Sequence, residues 1–205
     1  KVDQLQDSGG NAIITSDGSG NLTPNFNNAG GLVLLSSATL SGDTEVVFNN
    51  SIITSTYKSY IIRAVEVHTS ADNVACYFRV SDDNGSSYKS SDYKISVHVL
   101  VVNLNNNTYI SRQATSAQGT IAGMYEGIGN DTGEALNFEL QLFDPLASSD
   151  TQLMVKSLYQ SNNGRQTLNN GFGTHGTSTS VNNIKIYPAS GNFAEGTISI
   201  YGVKT

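Results

Sequence analysis

A chain of 205 residues has room for one generous β-domain with a short N-terminal extension, and its hydrophobic content of 38%, though thin for a globular core, is well above that of a disordered chain. The formal charge of −6 argues against nucleic acid, because polyphosphate binding needs clustered Lys and Arg to release counterions. No apolar run approaches the roughly 20 residues that span a bilayer, so membrane insertion is not expected either. Opening on Lys1 rather than Met, the chain reads as processed, trimmed or the tail of a longer protein.

The first elements are weak. Ala12 to Thr15, the turn Ser16 to Gly20 and Asn21 to Thr23 read as a β-hairpin with almost no core-forming side chains. A lone two-stranded hairpin is marginal in water, so this one is expected to gain stability by packing on other copies. Pro24 to Ala29 is polar and aperiodic, and the domain boundary is placed there. Residues 1–29 are then a connector or oligomerisation segment, and residues 30–205 are the main domain.

Past that boundary, strands declare themselves by period-2 alternation. In chain order they are Gly31 to Ser37, Glu45 to Asn49, Tyr60 to Val67, the Cys76, Phe78, Val80 run, and Ile95 to Val101. Thr120 to Tyr125 follows, then Leu136 to Leu142, Leu153 to Tyr159, Thr167 to Thr174, Ile184 with Ile186, and Ile198 with Ile200. Turn clusters such as Ser41-Gly42-Asp43, Asp82-Asp83-Asn84-Gly85, Asn105-Asn106-Asn107, Asn130-Asp131-Thr132-Gly133 and Asn162-Asn163-Gly164 separate them. Helical periodicity is sustained nowhere, and Asp144 to Asp150 around Pro145 is the sole candidate for a helical turn. Many short strands without βαβ spacing predict an all-β fold, an antiparallel β-sandwich of jelly-roll type.

Chemistry-bearing residues are sparse. Cys76 alternates with Phe78 and Val80 and reads as a buried thiol. His68, His98 and His175 lie in separate segments outside any catalytic motif and read as surface histidines, with His98 on the solvent face of its strand. A glycoside hydrolase would need two carboxylates about 5 to 10 Å apart across a cleft. Glu66, Glu126, Glu139 and Asp144 are the possible members of such a pair. No cofactor motif is present, and neither a cofactor nor catalysis is expected. Asp82, Asp83 and Asn84 cluster oxygen ligands on a turn, yet lack EF-hand spacing, so a solvated hairpin is favoured over a metal site.

Sugar recognition would use aromatic rings as stacking platforms and Asn, Asp or Arg as hydrogen-bonding arms. The candidates are Tyr88, Tyr93, Tyr125 and Tyr159, with Asn130, Asp131, Asn162, Asn163 and Arg165. The alternative for each tyrosine is a place on the sandwich rim or in a subunit interface. The Gly-rich stretch Asn162 to Thr179 reads either as an exposed loop or as an edge strand thinned to approach a neighbouring copy.

The opening GNAIITSDGSGNLT and the closing GTISIYGVKT, with FNNSIITSTYKSYIIRAVEV and FRVSDDNGSSYKSSDY between them, carry a resemblance across nearly the whole chain. They resemble the C-terminal modules of tail-fibre and related appendage proteins of tailed bacteriophages, particularly those infecting marine bacteria. The resemblance implies a jelly roll on the exterior of the virion, homotrimeric, in contact with other virion proteins and with a bacterial surface polysaccharide. No sugar-contact motif carries across residue by residue. The expected function is therefore host attachment through a surface glycan. A purely structural virion protein, such as a capsid decoration or fibre adaptor, is the alternative, and a polysaccharide-degrading enzyme the lesser one.

Overall fold

The computed structural model describes residues 4–24, 31–102, 108–176 and 178–204, and every regular element among them is a β-strand. The chain divides into two compact units, Lys1–Gly31 and Leu32–Thr205. Residues 25–29 and the Asn105-Asn106-Asn107 turn lie outside the described residues.

The first unit is a three-stranded antiparallel meander, β1 (Gln4–Gln6), β2 (Ala12–Ser16) and β3 (Leu22–Pro24), in place of the expected two-stranded hairpin. Both of its turns are built the same way. Asp7 Oδ1 accepts the backbone N–H of Gly9 at 2.8 Å and of Asn11 at 2.9 Å. Asp17 Oδ1, ten residues on, accepts those of Ser19 at 2.7 Å and Asn21 at 3.2 Å. An Asp-x-x-Gly-Asn repeat thus folds each turn by side-chain capture of backbone donors. Hydrogen bonds from the Asn11 and Asn21 side chains hold the two carboxyls below the ordinary carboxylate value.

The second unit is a sandwich. Its large sheet has the order β4-β15-β6-β11-β12-β13-β8-β9 and its small sheet β10-β7-β14-β5. The large-sheet strands are β4 (Gly31–Thr39), β6 (Ser59–Thr69), β8 (Tyr93–Val102), β9 (Thr108–Ser116), β11 (Leu136–Phe143), β12 (Thr151–Gln160), β13 (Gln166–His175) and β15 (Phe193–Lys204). The small sheet holds β5 (Val46–Phe48), β7 (Cys76–Ser81), β10 (Gly119–Ala122) and β14 (Asn183–Pro188).

Two strand pairs, β8 with β9 and β12 with β13, are insertions. With them set aside, the chain crosses between the sheets at every connection but β7 to β10, and β4-β15-β6-β11 opposes β5-β14-β7-β10. That interleaving of two Greek keys is the jelly roll. Both inserted pairs add to the β11 edge and widen that sheet to eight strands.

The core follows from the alternation. Leu136, Phe138, Leu140 and Leu142 point inward and are buried, as are Phe78, Val80, Ile184, Ile186, Ile198 and Ile200. Each such side chain contributes about 1.5–3 kcal/mol through apolar area removed from water. Cys76 is fully buried among them, and burial pushes its thiol far above the ordinary value, leaving it a packing group.

Three buried tyrosines are satisfied by backbone, two by loops and Tyr93 by strand β7 together with the Lys89 carbonyl of the β7–β8 connection, to which it donates at 3.3 Å. The Tyr60 hydroxyl accepts the Thr54 N–H at 2.8 Å, Tyr93 that of Val80 at 2.9 Å, and Tyr159 that of Gly123 at 3.2 Å. Each ring fills the core while its polar end fixes a connection.

Three readings of the sequence are corrected. Asp144 to Asp150 forms a bend with a single turn bond, Ala147 N–H to Asp144 C=O at 3.0 Å, and no helix, because Asp144 lies at φ 39° beside Pro145. The Gly-rich stretch after Asn162 is neither a long loop nor an edge. After the turn at 161–165 it becomes β13, paired on both sides. Its glycines serve close strand approach, since a Cβ on Gly173 would sit 2.2 Å from the Lys94 carbonyl oxygen. His175 is not on the surface: it is 1% exposed and stacks on Tyr93 at 4.7 Å between ring centroids. His98 does lie on the exposed face of β8.

Candidate functional site

The β4–β5, β6–β7, β10–β11 and β14–β15 connections meet at one end of the sandwich, as jelly-roll crossing requires. Ser70 N–H donates to Asn192 C=O at 2.8 Å, Gly42 N–H to Phe193 C=O at 2.9 Å, and Val74 exchanges both backbone bonds with Ile128. The β12–β13 turn joins them through Asn162 N–H to Gly127 C=O at 3.1 Å.

The β10–β11 loop is the longest of these and begins at Gly123, whose φ of 85° needs glycine. A Cβ there would meet Ala75 Cα at 2.5 Å. Tyr159 then clamps the loop, accepting from Gly123 N–H and donating to Glu126 C=O at 2.9 Å. Burial pushes the Tyr159 hydroxyl up to about 12, so it stays a proton donor across the neutral range.

Between those clamp points stands Tyr125, 39% exposed. The adjoining Glu126 carboxylate accepts Ser161 Oγ at 2.7 Å and pairs with the Arg165 guanidinium. Ser161 Oγ accepts in turn from Arg165 N–H at 3.3 Å and Asn163 N–H at 3.4 Å. Further along, Glu134 is buried and its carboxylate accepts Asp131 N–H at 2.9 Å, leaving Asn130 and Asp131 exposed at the loop tip. Asn130 and Asp131 line a groove with Glu66, His68, Thr69 and Glu195.

Six of the nine sugar-contact candidates, Tyr125, Asn130, Asp131, Asn162, Asn163 and Arg165, thus gather at this end. Three do not serve as platforms there. Tyr93 and Tyr159 are 0% and 1% exposed, core residues whose hydroxyls lie against loop backbone. Tyr88 is half-buried on the β7–β8 connection, with Lys185 Nζ 4.6 Å from its ring centroid.

The oxygens of the acidic turn are engaged by the turn itself and by neighbouring side chains. Asp83 accepts Ser81 Oγ and Ser87 Oγ at 2.6 Å each, which holds its carboxyl well below the carboxylate range. Asp82 pairs with Lys89 at 2.7 Å, and Asn84 Oδ1 accepts from Asn50 and Asn182. Among the described residues no group of three His, Cys, Asp or Glu side chains forms a ligand set. Of the four candidate carboxylates, Glu126, Glu139 and Asp144 are held by Arg165, Arg63 and Lys58, and Glu66 lines the groove beside the β10–β11 loop.

The sequence reading missed Glu126 and Ser161 as organisers of the site. Their one signal is chemical: a Ser and an Arg four residues apart flanking an Asn-Gly turn. The site as built offers an exposed tyrosine, asparagine amides and a guanidinium held by its partner, a set suited to hydroxyl-rich ligands. No family model matches this chain, and no curated protein matches it.

Proposed function

We propose that this chain is an attachment module of a virion appendage, a tail fibre or fibre-like element, that works as a homotrimer and binds a bacterial surface glycan through this loop end. The observation that carries the reading is Tyr125. It is exposed on a loop that Tyr159 clamps from within, beside the Glu126 and Arg165 pair and the amides of Asn162 and Asn163. A ring fixed in advance gives up little entropy on binding, and a sugar offers it an apolar face with a fringe of hydroxyls. Each contact is weak, and three copies on one appendage multiply it by avidity. The resemblance of the opening and closing motifs to phage appendage modules supports the biological setting.

The test is binding to an array of bacterial surface polysaccharides alongside the mass in solution. Wild-type protein should bind at least one polysaccharide, and Tyr125→Ala should weaken that binding about tenfold with unchanged unfolding. A trimer that binds none supports a purely structural virion protein instead, and release of reducing ends supports an enzyme.

A further inference from the structure

Alternation places every second side chain of β8, β12 and β13 on the outward face of the large sheet, where polar residues are the norm in an antiparallel sandwich. Here two apolar rows stand instead. Leu158 faces Leu168 across β12 and β13, and Leu168 faces Leu100 across β13 and β8. Val65 of β6 lines the same depression as Leu158 and Leu168. Further along the same strands Met154 faces Phe172, and both line a second depression. These side chains are well exposed: Phe172 60%, Val65 57%, Leu158 49%, Met154 42%, Leu168 41% and Leu100 38%. A polar row of Lys156, Asn170 and His98 runs between the two.

We infer that a second copy of this chain covers this face. It rests on the self-association in the reading above and not on the glycan. Area is the first argument. The two rows expose apolar surface on the order of 500 Å², near the largest patch an ordinary monomer shows. With the polar row between them the face approaches the roughly 800 Å² per partner of a stable interface.

Charge is the second argument. The exposed side chains of these strands and of the adjoining β6 and β11 include Arg63, Lys156 and Lys94 against Glu139 and Glu66, three positive groups to two negative. The chain as a whole carries −6, so this basic apolar face is complementary in sign to the remainder of another copy. A contact between unlike surfaces of identical chains closes into a ring when its rotation is a third of a turn, as a trimer requires.

The test compares the wild-type chain with Phe172→Asp and with Leu168→Asn by sedimentation equilibrium, and reads their circular dichroism and polysaccharide binding. Wild type should be oligomeric, and each variant should self-associate roughly a hundredfold more weakly with the β-spectrum unchanged. Carbene footprinting of wild type supplies a readout independent of the variants: Met154, Leu158 and Phe172 should be shielded when concentrated and labelled on dilution. A wild type that stays monomeric overturns the inference and the trimer together. Variants that keep the oligomer, or a face labelled equally at all concentrations, overturn the inference and leave the trimer standing. Polysaccharide binding by the monomeric variants judges the attachment reading separately.

Discussion

Tyr159 donates its hydroxyl to the backbone carbonyl of Glu126 at 2.9 Å, so a ring sealed inside the sandwich sets the position of a loop at its rim. Core packing and loop geometry are joined through one oxygen. That oxygen also takes the Gly123 N–H.

Replacing Tyr159 by Phe keeps the ring and strands both backbone groups. We expect a loss of about 1–3 kcal/mol, the cost of unpaired buried polar groups. Urea unfolding measures it. If the attachment reading holds, polysaccharide affinity falls as well, because Tyr125 stands on the released loop.

In the pair formed by Glu126 and Arg165 the carboxylate is the shielded partner, its side chain 11% exposed against 35% for the guanidinium's. Arg165→Met should cost about 2–4 kcal/mol by leaving a shielded carboxylate with Ser161 as its remaining side-chain donor. Glu126→Gln, which can still bond Ser161, should cost less. Thermal unfolding of the two variants side by side decides the order.

Glycine positions divide by what a methyl group would meet. Gly173→Ala should destabilise by more than about 2 kcal/mol, since the added carbon would press on the Lys94 carbonyl and Ile95 Cα. Gly133→Ala, at φ 91° with nothing within 4 Å, should cost only about 1 kcal/mol from its backbone conformation. Equal losses in a denaturant titration would refute the strand-approach account of Gly173.

His175 gives the fold a pH dependence. Burial holds its imidazole below the ordinary 6.5, with Asp92, Asp82 and Asp150 opposing the shift and Lys89 adding to it. The unfolded chain therefore takes up a proton on this ring before the folded protein does. The stability from this residue is complete above 6.5 and is lost as pH falls from there through the folded value. Unfolding free energies measured across that window should decline in wild type more steeply than in His175→Gln.

The strands written as simple alternation were legible, and β11 with its four inward Leu and Phe residues is the plainest case. The jelly roll was legible too, through turn density rather than through any one motif. β13 was legible as a strand over Thr167 to Thr174 but not as an interior one, because its inward positions are Thr167, Asn169, Gly171 and His175. Buried polar residues there answer to partners far along the chain: the Ile121 carbonyl accepts both Asn169 Nδ2 and Ser157 Oγ. Tyr93 and Tyr159 were misread for the same reason, since nothing local to a tyrosine tells whether its hydroxyl meets water or a distant amide. β1 escaped notice because three polar and exposed residues carry no pattern, although the repeated Asp-x-x-Gly-Asn turn announces it.

The inserted strand pairs impose a schedule on synthesis. β8 leans on β13, which the ribosome makes some seventy residues later, as the register of Tyr93 with His175 and of Val102 with Gln166 shows. The segment carrying Ile95, Val97 and Val99 must therefore wait, its sticky side unprotected, until the late strand arrives to hold it. A chain stalled or cut before residue 166 would leave that segment without its template, and such fragments should clump where the finished protein does not.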